Sequence, residues 1–139
     1  MSASRMEAAV PSLTVEDRTA TGRPTGSITL PDLPDRITLR ELIRLRVREE
    51  VARYNLKPME TFQGLVQPDG STRTTDGFRL PTPRRIDWER QAAIAIEQFG
   101  RNGFFVMVQG KQEVDLDAEL DLRGPMDVGF IRLTPLIGG

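Results

Sequence analysis

Apolar and polar positions alternate in two registers along this chain, and the change from one to the other marks its elements. Leu13 and Val15 alternate with polar neighbours, and Ile28 and Leu30 do the same, with Gly22-Arg23-Pro24-Thr25-Gly26 between them. That pattern predicts a hairpin over Leu13 to Leu30. Pro31 to Asp35 breaks the strand. Thr38 with Glu41 three residues on forms a capping-box signature, in which each side chain can satisfy a free amide of a first helical turn. Leu39, Leu42, Ile43, Val47, Val51 and Tyr54 then recur at helical spacing, and Asn55 and Pro58 end the run. Arg40, Arg44 and Arg48 make a second stripe on another face of the same helix, expected to be solvated.

From Lys57 to Arg85 periodicity disappears, with Pro58, Pro68, Pro81 and Pro83 interleaved with Gly64, Gly70 and Gly77. This stretch reads as a loop insertion, with room for a short hairpin about Gln67-Pro68-Asp69-Gly70. Asp87 can cap a second helix reaching Phe99, with Trp88, Ala92, Ala95, Ile96 and Phe99 facing inward and Gly100 closing it. Phe104 to Val108 is a continuous apolar run of strand length, and Gln109-Gly110-Lys111 is a turn. Val114, Leu116, Ala118, Leu120 and Leu122 next alternate with Glu113, Asp115, Asp117, Glu119 and Asp121, which predicts a half-buried strand with an acidic outer side. That side is expected to be a charged edge that discourages pairing; docking to a basic partner is the alternative. Val128 to Leu133 is a last strand, stopped by Pro135.

The domain plan that results is a flexible tail over 1–12, one domain over 13–134 containing the 57–85 insertion, and an extended tail over 135–139. Its fold class is α+β, a mixed sheet around one amphipathic helix with an inserted loop and a second helix.

Composition narrows the chemistry. The chain has no Cys and no His, which excludes disulfides, thiolate catalysis and Cys-ligated metals, and removes the commonest general base and transition-metal ligand. No enzyme, resident metal or bound cofactor is expected. A formal net charge of -1 gives no reason to expect nucleic acid as a partner. No apolar run approaches the ~20 residues that span a bilayer, and Met1 to Pro11 lacks a signal-peptide layout. A cytoplasmic protein without a membrane partner is the expectation. The lysines are Lys57 and Lys111 alone, against an abundance of Arg. Genomic base composition accounts for that; so would a chain made to react with amines that gains by offering few of its own.

The chemistry-bearing motif is the sequence at the end of the chain. Gly138 and Gly139 have no Cβ, so a carboxylate at their tip can pass along a narrow channel into another protein's active site. Pro135 keeps the tail out of the sheet ladder, and the β-branched Ile137 favours an extended backbone. Phe104-Phe105-Val106-Met107-Val108-Gln109-Gly110-Lys111 through Leu120, Asp127-Val128-Gly129-Phe130, and Pro135-Leu136-Ile137-Gly138-Gly139 together resemble the ubiquitin-like β-grasp proteins. The pattern is similar to that of the sulfur carriers, such as the molybdopterin synthase small subunit and the thiamin-pathway carrier. The resemblance covers the last third of the chain in detail and the hairpin-helix start in outline. The 57–85 insertion departs from it. So does the longer run from Val128 to the glycines, which is closer to the tail of ubiquitin. This combination looks like the divergent bacterial ubiquitin-like proteins that accompany their own activating and conjugating enzymes, some in antiphage operons.

The resemblance implies a protein modifier. A ubiquitin-activating-like adenylating enzyme would use ATP and Mg²⁺ to activate the Gly139 carboxylate, a conjugating enzyme would pass it to target proteins, and a deconjugating protease would reverse the bond. Leu136, Ile137, Phe130 and Arg132 are the expected partner contacts. The alternative is a sulfur carrier forming a C-terminal thiocarboxylate for cofactor biosynthesis. A β-grasp interaction domain without covalent chemistry is a third reading. Trp88 is expected in the core rather than at an interface.

Overall fold

The computed structural model describes residues 10–133. Its longer helix, α1 (Leu39–Leu56), begins where the capping signature stands, with the Thr38 hydroxyl accepting from the Glu41 amide at 3.1 Å. Only half of the box forms, because the Glu41 carboxylate turns to Arg44 instead, at 3.4 Å. Two further amides of the first turn are satisfied from outside the helix. Leu39 N donates to the Ala118 carbonyl and Arg40 N to that of Leu116, each at 2.9 Å. The second helix, α2 (Trp88–Gly100), starts at Asp87, whose carboxylate accepts from the Glu89 amide at 3.1 Å.

The strands are β1 (Leu13–Arg18), β2 (Pro24–Leu30), β3 (Arg36–Thr38), β4 (Thr61–Phe62), β5 (Thr72–Thr74), β6 (Gly77–Arg79), β7 (Phe104–Val108), β8 (Lys111–Glu113), β9 (Glu119–Asp121) and β10 (Val128–Arg132). Five of them form a mixed sheet in the order β2-β1-β10-β7-β8. The last strand lies in the middle, parallel to β1 and antiparallel to β7, with Asp17 beside Phe130 and Ile131 opposite Phe105. The β7–β8 hairpin turns on Gln109 and Gly110, both at positive φ (53° and 80°), the turn whose twist matches paired strands.

The inward side of the sheet carries Leu13, Val15, Ile28, Leu30, Val106, Val128 and Phe130, and these pack in one buried cluster with Leu39, Leu42, Ile43, Val47 and Val51 of α1. The β1–β2 hairpin and both helices follow the sequence pattern, although the turn is tighter and earlier than expected, closing over Thr19–Arg23.

Two expectations need correction. The strand predicted over Val114 to Leu122 forms only at Glu119–Asp121, paired with β3. Asp115 ends the alternation: its carboxylate accepts from the Asp117 amide at 2.9 Å and its carbonyl from Ala118 N at 3.1 Å, making a turn. Val114 is left 72% exposed, while Leu120 and Leu122 are buried as expected. The acidic stretch therefore lies against the amino end of α1, where negative charge is favoured. The 57–85 insertion, in turn, is more than a loop. It holds a small sheet in the order β4-β6-β5, turned at Thr74–Gly77, beyond the expected turn at 67–70. Phe62, Leu65, Val66, Phe78 and Leu80 from this insertion are buried in the common core.

Candidate functional site: where the last strand leaves the sheet

Gly139, Gly138, Ile137 and Leu136 lie outside the described residues, so the site is built from its root, the end of β10. Within that strand Val128, Phe130 and Arg132 point to the inward side. Phe130 is fully buried, its ring 4.5 Å from the Arg46 guanidinium carbon. The expectation that Phe130 meets a partner is therefore corrected: the ring belongs to the core, beneath α1.

Arg132 is half-buried and engaged within the chain. One of its terminal nitrogens donates to the Gly64 carbonyl at 2.7 Å, and the other stands 3.8 Å from Asp17. Asp17, at the end of β1, accepts both terminal nitrogens of Arg46, one of them at 2.8 Å. Arg46 is only 2% exposed and also donates to Glu50 one turn on, at 3.0 and 3.2 Å. The free oxygen of Glu50 accepts from the Leu65 amide at 3.2 Å. Followed round, these hydrogen bonds, closed by the 3.8 Å ion pair between Arg132 and Asp17, make a circuit through Asp17, Arg46, Glu50, the Gly64-Leu65 backbone and Arg132. It joins β1, α1, the insertion and β10, and its two cations match its two anions.

Burial governs the electrostatics of the circuit. It works against the Arg46 charge, but Glu50 and Asp17 outweigh it and hold the guanidinium above its ordinary pKa. For Glu50 the balance falls the other way. Burial pushes the carboxyl up, the Arg46 charge and hydrogen bond and the Leu65 amide pull it down, and the net direction is upward.

The short run Gly64-Leu65-Val66 is buried yet lies outside any strand, so its polar backbone groups must find partners elsewhere. Arg132 takes the Gly64 carbonyl, Glu50 the Leu65 amide, and the buried Gln91 of α2 the Val66 carbonyl at 2.8 Å. Gly64 itself is required, since a Cβ there would fall within contact distance of the Phe62 ring, which is buried and has nowhere to go. A wide groove opens beside this anchored run, bordered by Leu133, Arg132, Phe104, Ile94, Arg73 and Thr75 among others.

Sequence reasoning passed over Arg46, Glu50 and Gln91. A signal was present: 46 and 50 fall on the apolar stripe of α1, between Ile43, Val47 and Val51, where a charged residue must be buried with a partner. Trp88 is half-buried and packs against the edge of the core, with the Arg44 and Arg48 guanidinium carbons 5.3 and 5.9 Å from its ring centroid. The arginine stripe is accordingly more than solvated: Arg44 and Arg48 cover Trp88, and Arg40 pairs with Asp117 at 3.3 Å.

No known protein family matches the chain, and comparisons with curated proteins and with solved structures give no match either. No helix among the described residues is long and apolar enough to cross a membrane. Among the same residues, no group of three or more acidic side chains stands close enough together to hold a metal ion.

Proposed function

We propose that this chain is a ubiquitin-like protein modifier of β-grasp architecture, with the Gly139 carboxylate as its acyl group. The observation that carries the reading is the place of the last strand. β10 runs in the middle of the sheet, parallel to β1, in the order β2-β1-β10-β7-β8 with α1 against one face. A strand held on both sides by its neighbours, and through Arg132 by the insertion, is a rigid base from which a Gly-Gly sequence can be offered to another protein.

The chemistry belongs to the partners. An adenylating enzyme with ATP and Mg²⁺ lets a Gly139 carboxylate oxygen attack the α-phosphorus, forming the acyl adenylate and releasing pyrophosphate. A nucleophile on the enzyme then displaces AMP, and a conjugating enzyme delivers the acyl group to an amine of a target protein. A deconjugating protease hydrolyses the resulting amide. The modifier supplies the acyl group and the surface by which its partners recognise it. The small number of lysines fits this role, because few of its own amines compete for the activated end.

The test incubates the purified chain with ATP, Mg²⁺ and the adenylating enzyme encoded beside it. ATP-dependent adducts on other proteins, lost when Gly139 is deleted or Gly138→Ala is introduced and with unchanged thermal stability, are the expected outcome. A mass gain equal to the exchange of one oxygen for sulfur makes the chain a sulfur carrier instead. Absence of any ATP-dependent product, or adducts that survive deletion of Gly139, overturns the proposal.

A further inference from the structure

We infer that the free edge of β8 is a self-association surface, which pairs antiparallel with β8 of a second copy of this chain about a two-fold axis at Gln112. The inference goes beyond the modifier reading and does not depend on it.

The five-stranded sheet has two edges, β2 and β8. β8 is paired on one side, with β7, where Val108 stands opposite Lys111 and Met107 opposite Gln112. The two-residue turn at Gln109 and Gly110 makes Val108 and Lys111 a pair that exchanges ladder hydrogen bonds, and bonded and non-bonded pairs alternate from there. Gln112 therefore turns its backbone N–H and C=O away from β7, to the open edge. Lys111, Gln112 and Val114 are exposed, and among the described residues no hydrogen bond from another loop or strand reaches the Gln112 backbone.

Charge decides what can sit there. Lys111 and Glu113 lie on one side of the strand and Gln112 on the other. In a second copy running antiparallel and centred on Gln112, Lys111 stands across from Glu113 of the second copy, and symmetry repeats the pair. The two Gln112 residues face one another, and their outward backbone groups exchange hydrogen bonds. Asp115, the next acidic residue, then faces Gln109 of the second copy, which carries no charge. Sliding the axis by one residue keeps the backbone groups in phase but sets Lys111 against Lys111, or Glu113 against Glu113. Charge on an edge strand ordinarily deters pairing; the Lys-Gln-Glu order of β8 instead admits one register. Lys111 has no ion pair among the described residues. Glu113 gives one oxygen to the Asp115 amide, at 3.0 Å, and keeps the other. The opposite edge, β2, carries no charged side chain to select a register. Val114, 72% exposed just beyond β8, adds an apolar contact, since the same register sets it across from Gly110, which has no side chain to obstruct it. The contact is a few residues long, so the dimer is weak and forms at high protein concentration.

Sedimentation equilibrium and amide chemical shifts of the full chain, followed from micromolar to millimolar concentration, test the inference. The expected result is an average mass that rises toward that of a dimer and no further, with shift changes centred on residues 110–114. Lys111→Glu sets carboxylates against one another across the axis and is expected to weaken association by about tenfold. Glu113→Lys does the same with two cations. An equimolar mixture of the two variant chains, neither of which pairs with itself, is expected to form a mixed dimer, because every opposed pair again joins unlike charges. Gln112→Pro removes the outward amide while leaving the ladder to β7 in place, and is expected to abolish pairing. It carries the test if Glu113→Lys, which loses the bond to the Asp115 amide, fails to fold. A monomer at every concentration, a dimer indifferent to both Lys111→Glu and Gln112→Pro, or shift changes centred on β2 overturns the inference.

Discussion

Helix α1 carries two sets of arginines whose fates differ completely. Arg46 faces the sheet, 2% exposed, and is locked between Asp17, Glu50 and the ring of Phe130. Arg40, Arg44 and Arg48 lie on the outer side, where Arg40 and Arg44 remain 46% and 37% exposed in their side chains. The residue type is the same and so is the helix; only position relative to the apolar stripe differs. On the outside an ion pair exchanges water for a partner of similar quality, and its net effect is small. On the inside water is absent, so each charge depends wholly on the partners built around it.

Removing the cation on the inner side is the severest way to break this comparison. Arg46→Met keeps most of the stem but leaves Asp17 and Glu50 as two carboxylates without their shared counter-charge. A loss of about 3–5 kcal/mol in unfolding free energy is expected, the usual cost of orphaning a buried charge. Chemical denaturation measures it. Adding Glu50→Gln to Arg46→Met should recover part of the loss, because one unpaired charge fewer remains. If Arg46→Met costs no more than a surface substitution, the circuit contributes nothing special and the contrast fails.

Glu50→Gln alone sharpens the comparison, since it removes a titration while leaving one amide oxygen to accept from Arg46, at the cost of the oxygen that accepts from the Leu65 amide. Because burial raises the Glu50 carboxyl above its ordinary range, the folded chain holds a proton at pH values where the unfolded chain has released it. Stability from this group is complete below the ordinary glutamate pKa and is lost as pH rises through the raised folded value. The natural chain should therefore lose stability relative to Glu50→Gln as pH increases across that window. Denaturation at a series of pH values reads the sign. The opposite slope would mean that Arg46 pulls the carboxyl down harder than burial pushes it up.

The same contrast explains how much of this molecule could be read from its residues. Both helices, their caps and the β1–β2 and β7–β8 hairpins rest on local chemistry, such as Thr38 before Glu41, Asp87 before an apolar run, or Gln109-Gly110 between strands. Local signals survive translation into structure because the forces behind them act over a few residues. The 114–122 segment misled because alternation is equally consistent with a turn, and the side chain of Asp115 prefers the turn. The strands of the insertion are two or three residues long, too short for a period of two to show. Phe130 was misplaced because β10 is apolar on both sides, with Ile131 as apolar as Phe130, so alternation does not mark its inner face. Its facing follows only from the partners, β1 and β7, which are twenty or more residues away along the chain. Arg132 also has an intramolecular acceptor, Gly64, that no spacing rule connects to it. The residues on which the proposed chemistry turns, Gly138 and Gly139, rest on sequence alone.

Arg40→Ala supplies the mild counterpart to Arg46→Met. Arg40 is in the first turn of α1, where its charge opposes the helix dipole, and it stands 3.3 Å from Asp117, whose own side chain is 78% exposed. Losing the ion pair costs a little and relieving the dipole returns a little, so the net change in unfolding free energy should stay within about 0.5 kcal/mol. High salt should shrink even that, because exposed charges are screened. The burial of the Arg46 circuit predicts far less sensitivity to salt on its side of the helix. Thermal denaturation of both variants at low and high ionic strength separates the two behaviours. An Arg40→Ala loss comparable to that of Arg46→Met would place the stabilising charge on the outer face of α1, and the distinction between its two sides would have to be abandoned.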